Sequence, residues 1–182
     1  MNQSSAYHPR LAAKDIILIG MFAACMVVIS QISVPMPTGV PITIQVFGIA
    51  LIGSALGWKR GLYAVCTYIL LGVAGLPVFS SFKGGISVLV SFTGGYIWAW
   101  PLMAVLCGIP TAPPRQLIKS SFPALLGLAF VEVVGAAQWS LLAGDKTFPV
   151  IMVYALTAFI PKDIILTLMG IWAGKEIRRR LL

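Results

Sequence analysis

Charge is scarce in this chain. Only 10% of its 182 residues are Asp, Glu, Lys or Arg, and 59% are hydrophobic. A soluble domain carries about 25% charge, so the composition excludes a water-soluble globule and specifies an integral membrane protein. Histidine is nearly absent. The single one, His8, lies in a polar N-terminal tail, which excludes histidine-based zinc and triad chemistry. The three cysteines, Cys25, Cys66 and Cys107, are odd in number and sit inside apolar runs. They read as small buried hydrophobes, with no disulfide framework and no metal site. A phosphate loop is also missing. Gly144-Asp145-Lys146-Thr147 lacks the Gly-Lys adjacency and Gly174-Lys175-Glu176 lacks the hydroxyl, so the chain does not hydrolyse ATP by that mechanism. Any transport it performs draws on a partner or a gradient. The net charge of +8 forms no single basic patch, which argues against nucleic acid.

Long apolar runs are abundant. About 20 residues cross the hydrocarbon core of a bilayer, and the sequence predicts six transmembrane helices over 15–34, 41–57, 61–76, 94–109, 122–143 and 149–173, in one membrane domain. Trp58-Lys59-Arg60 reads as the interfacial end of span two. The first run lacks a small-residue cleavage site and is expected to be a retained span. Arg10, Lys14, Lys59, Arg60, Arg115, Lys119, Lys175, Arg178, Arg179 and Arg180 fall on one side of this arrangement, against Lys83 and Lys146 on the other. The positive-inside rule then puts both termini in the cytoplasm. The connection over 77–93 mixes Ser80-Ser81-Phe82-Lys83-Gly84-Gly85 with apolar Ile86–Val90. Irregular yet apolar backbone suits a re-entrant or lid-like loop over a cavity.

Polar residues inside apolar runs are the candidates for function. Lys162 and Asp163 follow Pro161 in the middle of span six, where each ionisable group costs about 2.5–3.5 kcal/mol unless paired or hydrated. Neighbours on a helix point about 100° apart, so they are not expected to pair simply with each other. Pro161 removes the donor to the Thr157 carbonyl and is expected to kink the helix. Glu132 lies well inside span five, where it pairs with Lys162, faces a ligand or sits at an interface; Gln138 is expected on a different face. Thr43 and Gln45 follow Pro41 in the first turns of span two, and Thr93-Gly94-Gly95-Tyr96 opens span four. Those glycines allow close approach of a neighbour or a ligand, and Trp98 and Trp100 read as an interfacial belt. Gly20 and Ala24 form a small-xxx-small pattern on span one, a candidate face for a partner helix.

Taken together, Gln31-Ile32-Ser33-Val34-Pro35-Met36-Pro37, Val40-Pro41-Ile42-Thr43-Ile44-Gln45, Gly72-Val73-Ala74-Gly75-Leu76-Pro77-Val78-Phe79, Thr93-Gly94-Gly95-Tyr96 and Phe159-Ile160-Pro161-Lys162-Asp163 resemble the BioY family, the biotin-binding S components of energy-coupling factor (ECF) transporters. The order and spacing of these segments match the family over nearly the whole chain. The resemblance implies an all-α six-helix membrane bundle with a biotin cavity near its outer face. It implies no cofactor and no enzyme activity, and places the chain in the bacterial cytoplasmic membrane. The implied partners are a membrane coupling protein and an ATPase pair, with a homo-oligomer as a further possibility. On this basis Asp163 accepts a ureido N–H of biotin, the loop around Ser81, Gly84 and Gly85 adds polar contacts, and Lys83 or Lys162 holds the carboxylate. Phe92 stands where the family usually has proline, and Glu132 where an aromatic residue is commoner. The cavity's expected chemistry would also suit lipoate or another small carboxylic acid. An intramembrane acid/base enzyme is the rival class, weakened because no second carboxylate lies at helical spacing from Asp163.

Overall fold

The computed structural model describes residues 12–109, 117–144 and 148–181; the N-terminal tail with His8 and Arg10, and the loop cations Arg115 and Lys146, lie outside these. Among the described residues there are seven α-helices: α1 (Ala13–Ser30), α2 (Gln45–Leu56), α3 (Trp58–Val73), α4 (Gly94–Cys107), α5 (Leu117–Ala143), α6 (Phe148–Ala158) and α7 (Ile160–Leu181). A two-residue antiparallel pair, β1 (Ser33–Val34) with β2 (Ile42–Thr43), interrupts the helices between α1 and α2. By length and composition α1 and α5 can each cross a membrane, and α6 with α7 can do so as one broken span.

The helix ends sort into two layers. At one end the Arg60 guanidinium meets Asp15 at 2.7 Å, joining the starts of α1 and α3. The Trp58 N–H donates to the Gly108 carbonyl at 3.1 Å, joining the α2–α3 turn to the end of α4. Lys175 donates to Ser120, tying the end of α7 to the start of α5. The described cations outside α7's first turn, Lys83 excepted, therefore gather at this end. Trp58-Lys59-Arg60 opens α3 rather than closing the helix before it, because Gly57 turns the chain with φ 80°. A side chain would be strained at that φ.

At the opposite end the central helices stop short. α2, buried along nearly its whole length, has 12 residues and α4 has 14. At 1.5 Å per residue each is shorter than the ~30 Å hydrocarbon core, and the space beyond their first turns is roofed by irregular chain. That roof is the expected loop before α4, folded as two 3₁₀ turns over Ser80–Phe82 and Ile86–Val88. Its first half is pinned through Val78, whose carbonyl accepts from Ser30 Oγ (2.5 Å) and Tyr68 Oη (3.0 Å). Gln31 Oε1 accepts from the Phe82 N–H at 3.0 Å. Phe79 is buried edge-on against Tyr68 and lies over Gly72, where any side chain would collide with its ring.

The second half is strapped to α5. Gln138 Nε2 donates to the carbonyls of Leu89 (2.9 Å) and Ser91 (2.8 Å), so this residue closes the lid. Replacing Gln138 with leucine removes two hydrogen bonds, each worth about 0.5–1.5 kcal/mol, and leaves the two carbonyls to Trp98 Nε1 (3.2 Å) and the Gly94 N–H (3.0 Å) alone. Amide hydrogen exchange over residues 86–92 is expected to accelerate by about tenfold to a hundredfold. Exchange at the wild-type rate would mean that the lid is held elsewhere.

The final span is bent, as the proline led one to expect, and the break falls two residues earlier at Phe159, where α6 and α7 meet at 54°. Pro161 lies in the first turn of α7, where a missing donor is tolerated, and the Asp163 N–H donates to the Phe159 carbonyl at 3.0 Å.

Candidate functional site

The roof, the first turns of α2, α4 and α7, and the middle of α5 line one partly open cavity. β2 and α2 contribute Thr43, Gln45 and Val46, following Val40 and Pro41. The roof contributes Phe79, Ser80, Lys83 and Val88, and Thr93 leads into Tyr96, Ile97 and Trp100 of α4. Val131 and Glu132 come from α5, and Phe159, Lys162 and Asp163 from the α6–α7 break. Three helices thus begin at this cavity, and their N-terminal amides favour electron-rich groups.

Asp163 is 2% exposed, and Lys162 Nζ lies 2.6 Å from its Oδ1. The two neighbours therefore do pair, contrary to the helical-spacing expectation. The 100° between their Cα–Cβ directions is bridged by the long lysine stem, which bends back and is fixed by two further contacts. Lys162 Nζ donates to the Thr43 carbonyl at 3.3 Å and lies 5.5 Å from the Phe159 ring centre. Glu132, also 2% exposed, lines the same cavity as Asp163. The second carboxylate absent from the spacing of α7 is thus supplied by α5. Glu132 Oε2 and the Tyr96 hydroxyl are both buried without a hydrogen-bond partner.

The structure brings together Thr43, Gln45, Lys83, Thr93, Tyr96, Glu132, Lys162 and Asp163. It leaves out Ser81, Gly84 and Gly85. Ser81 has φ 59° and is exposed, while its neighbour Ser80 lines the wall. Gly85 has φ 90°, and a side chain at Gly84 would run into the Leu76 carbonyl, so both glycines shape the roof. Gly94 lies under the roof, where a Cβ would collide with the Leu89 carbonyl, and Gly95 serves helix contact: its Cβ would lie 2.5 Å from the Val134 carbonyl and 3.0 Å from Gly135 Cα. Gly20 and Ala24 are exposed on α1, and a Cβ on Gly20 would meet nothing.

Trp100 is the main residue missed. It is 3% exposed and lines the cavity, whereas Trp98 is 59% exposed. Two residues on a helix are separated by about 200°, so Trp98 and Trp100 could not both face lipid. Tyr96 and Trp100, at i and i+4, share a face. Phe79 and Phe159 had no such signal, since only the folded roof and the helix break turn them inward.

An apolar chamber with a few convergent polar groups, closed by a lid inside a membrane bundle, defines a receptor for a small, mostly apolar molecule. The chain belongs to the BioY family, whose model matches residues 1–182. It is 36% identical over 155 residues to a probable biotin transporter BioY of Pyrococcus horikoshii, covering 85% of this chain and 90% of that protein. It is 40% identical over 122 residues to the biotin transporter BioY of Thermotoga maritima, covering 67% and 72% respectively. The crystal structure of the S-component for biotin from an ECF-type ABC transporter superposes with a TM-score of 0.83 at 26% identity, covering 94% of this chain and 96% of that one.

Proposed function

We propose that this protein is the biotin-binding S component of an ECF-type transporter, taking up biotin rather than catalysing a reaction. In this reading α1 to α5 and the broken α6–α7 pair form six crossings of the bacterial cytoplasmic membrane. The cation-rich end and both termini face the cytoplasm, and the roofed cavity opens outward. A coupling protein and an ATPase pair supply the energy.

The observation that carries the reading is the cavity itself. It joins a buried carboxylate, lid and α2 polar groups, and aromatic walls from Phe79, Trp100 and Phe159, matching a ligand with an apolar bicycle, a urea group and one carboxylate. Asp163 accepts a ureido N–H. Lys162 is engaged by Asp163 and the Thr43 carbonyl, whereas Lys83 has no ion pair among the described residues. Lys83 is therefore assigned the biotin carboxylate, with Thr43, Gln45, Ser80, Thr93 and Tyr96 as the neighbouring polar groups. Equilibrium binding of labelled biotin to the purified protein in detergent tests this. Saturable binding is expected, and none at micromolar biotin would overturn the proposal.

The exposed face of α1 is the proposed docking surface for the coupling protein. Replacing Ala24 with tryptophan is expected to reduce co-purification of that subunit while leaving biotin binding unchanged. Loss of both would contradict a docking role.

A further inference from the structure

We propose that Glu132 is held as a neutral, protonated acid in the cavity wall, so that it donates to the ligand's carbonyl oxygen while Asp163 accepts from its N–H. This rests on the biotin reading above and adds the residue that discriminates a neutral urea from a charged relative.

The geometry supplies four observations. First, the two carboxyl groups come from different helices, α5 and α7, and line the same cavity. Two carboxylates in one dry chamber repel, and protonating one of them removes the repulsion. Second, each residue is 2% exposed, so water does little to screen their repulsion. Third, one cation serves both: Lys162 Nζ contacts Asp163 Oδ1 at 2.6 Å. One proton, on Glu132, makes the trio neutral, the state a low-dielectric chamber favours. Fourth, Glu132 Oε2 is buried without a partner in the cavity wall, which leaves it for the occupant. The other groups facing the two carboxyls fit this count. Tyr96 on α4 brings a neutral hydroxyl, Thr43 and Gln45 bring neutral groups from β2 and α2, and Lys83 belongs to the roof, exposed at its outer side.

A protonated Glu132 beside an accepting Asp163 presents one donor and one acceptor, the complement of a urea's C=O and N–H edge. A guanidine in place of the urea carries only donors and a positive charge at neutral pH. The site can accept it when Glu132 gives up its proton to solution, so that two carboxylates then face two cations and the site stays neutral. Because the analogue-bound site holds one proton fewer, analogue binding strengthens as pH rises. Biotin binding stays level.

The test uses the full-length protein in detergent with biotin and 2-iminobiotin, its guanidino analogue, between about pH 6 and pH 8. Wild-type affinity for 2-iminobiotin is expected to rise by up to about tenfold per pH unit. Glu132→Gln keeps a donor but has no proton to release. It should show no pH slope for the analogue. Glu132→Leu, which loses the donor, should weaken biotin by about tenfold or more. Elution of both variants as single species by size exclusion controls for folding. A slope that persists in Glu132→Gln overturns the proposal, as does a wild type that binds biotin yet shows no slope or no binding with the analogue. A wild type that binds neither ligand overturns the biotin reading itself.

Discussion

Asp163→Asn is expected to abolish detectable biotin binding at micromolar ligand while the protein still purifies as a single species. The substitution keeps the shape of the side chain and removes its charge, so the effect is electrostatic. Asp163 is 2% exposed and bonded to Lys162 at 2.6 Å. The amide is a weaker acceptor for a ureido N–H, and hydrogen bonds to charged groups are worth about 1.5–3 kcal/mol. It also strips Lys162 of its counter-ion beside the ligand. Breaking a buried pair costs about 3–5 kcal/mol, reduced here because the Lys162 side chain is 28% exposed. Together these weaken binding by at least about two orders of magnitude, at 1.4 kcal/mol per tenfold. Equilibrium binding with labelled biotin, alongside size exclusion of the same preparation, provides the check. Affinity within tenfold of wild type would remove Asp163 from the ligand contacts.

Gly174→Leu is expected to prevent the bundle from assembling, whereas Gly20→Leu is expected to leave it intact. Gly170 and Gly174 face α2 on α7. A Cβ on Gly170 would lie 2.6 Å from the Phe47 carbonyl oxygen, and one on Gly174 would lie 2.6 Å from the Leu51 carbonyl oxygen and 3.0 Å from the Ala55 nitrogen. These obstacles are backbone atoms, which cannot rotate away as a side chain can. Ser54 Oγ contributes too, donating to the Ala50 carbonyl at 2.6 Å and reaching the Gly170 carbonyl at 3.3 Å. Overpacking a core by a few methylenes costs about 1–3 kcal/mol, and four added carbons against rigid backbone exceed that range. α7 would be pushed off α2, and the same shift would misplace Lys162 and Asp163. Size exclusion and thermal unfolding in detergent should show aggregation or a large loss of stability for Gly174→Leu. Wild-type behaviour for it would contradict the close α2–α7 contact.

This pair of substitutions also marks a boundary of sequence reading. Gly20-xxx-Ala24 and Gly170-xxx-Gly174 are the same kind of pattern, and nothing local tells them apart. The first is open on the surface of α1, and the second is buried against α2. The polar residues of the cavity were more legible. Lys162, Asp163 and Glu132 stand out because charge inside an apolar run demands a compensating environment, and that cost can be read one residue at a time. Thr43, Gln45, Thr93 and Tyr96 lie at helix beginnings, and three of those beginnings prove to meet at one place. Trp100 was half legible, since helical periodicity separates it from Trp98 without saying which of the two faces inward.

Composition and the spacing of apolar runs were enough to establish a helical membrane protein, and the motif order was enough for its family, because both properties are carried by the residues themselves. The expected pairing within the site was not. Helical spacing kept Lys162 apart from Asp163 and offered Asp163 no second carboxylate. The folded chain joins the first pair through a bent lysine stem and brings Glu132 over from α5. Those contacts depend on where helices stop, break and cross. Such distances arise from packing between segments far apart in the chain, and only the tertiary structure decides them.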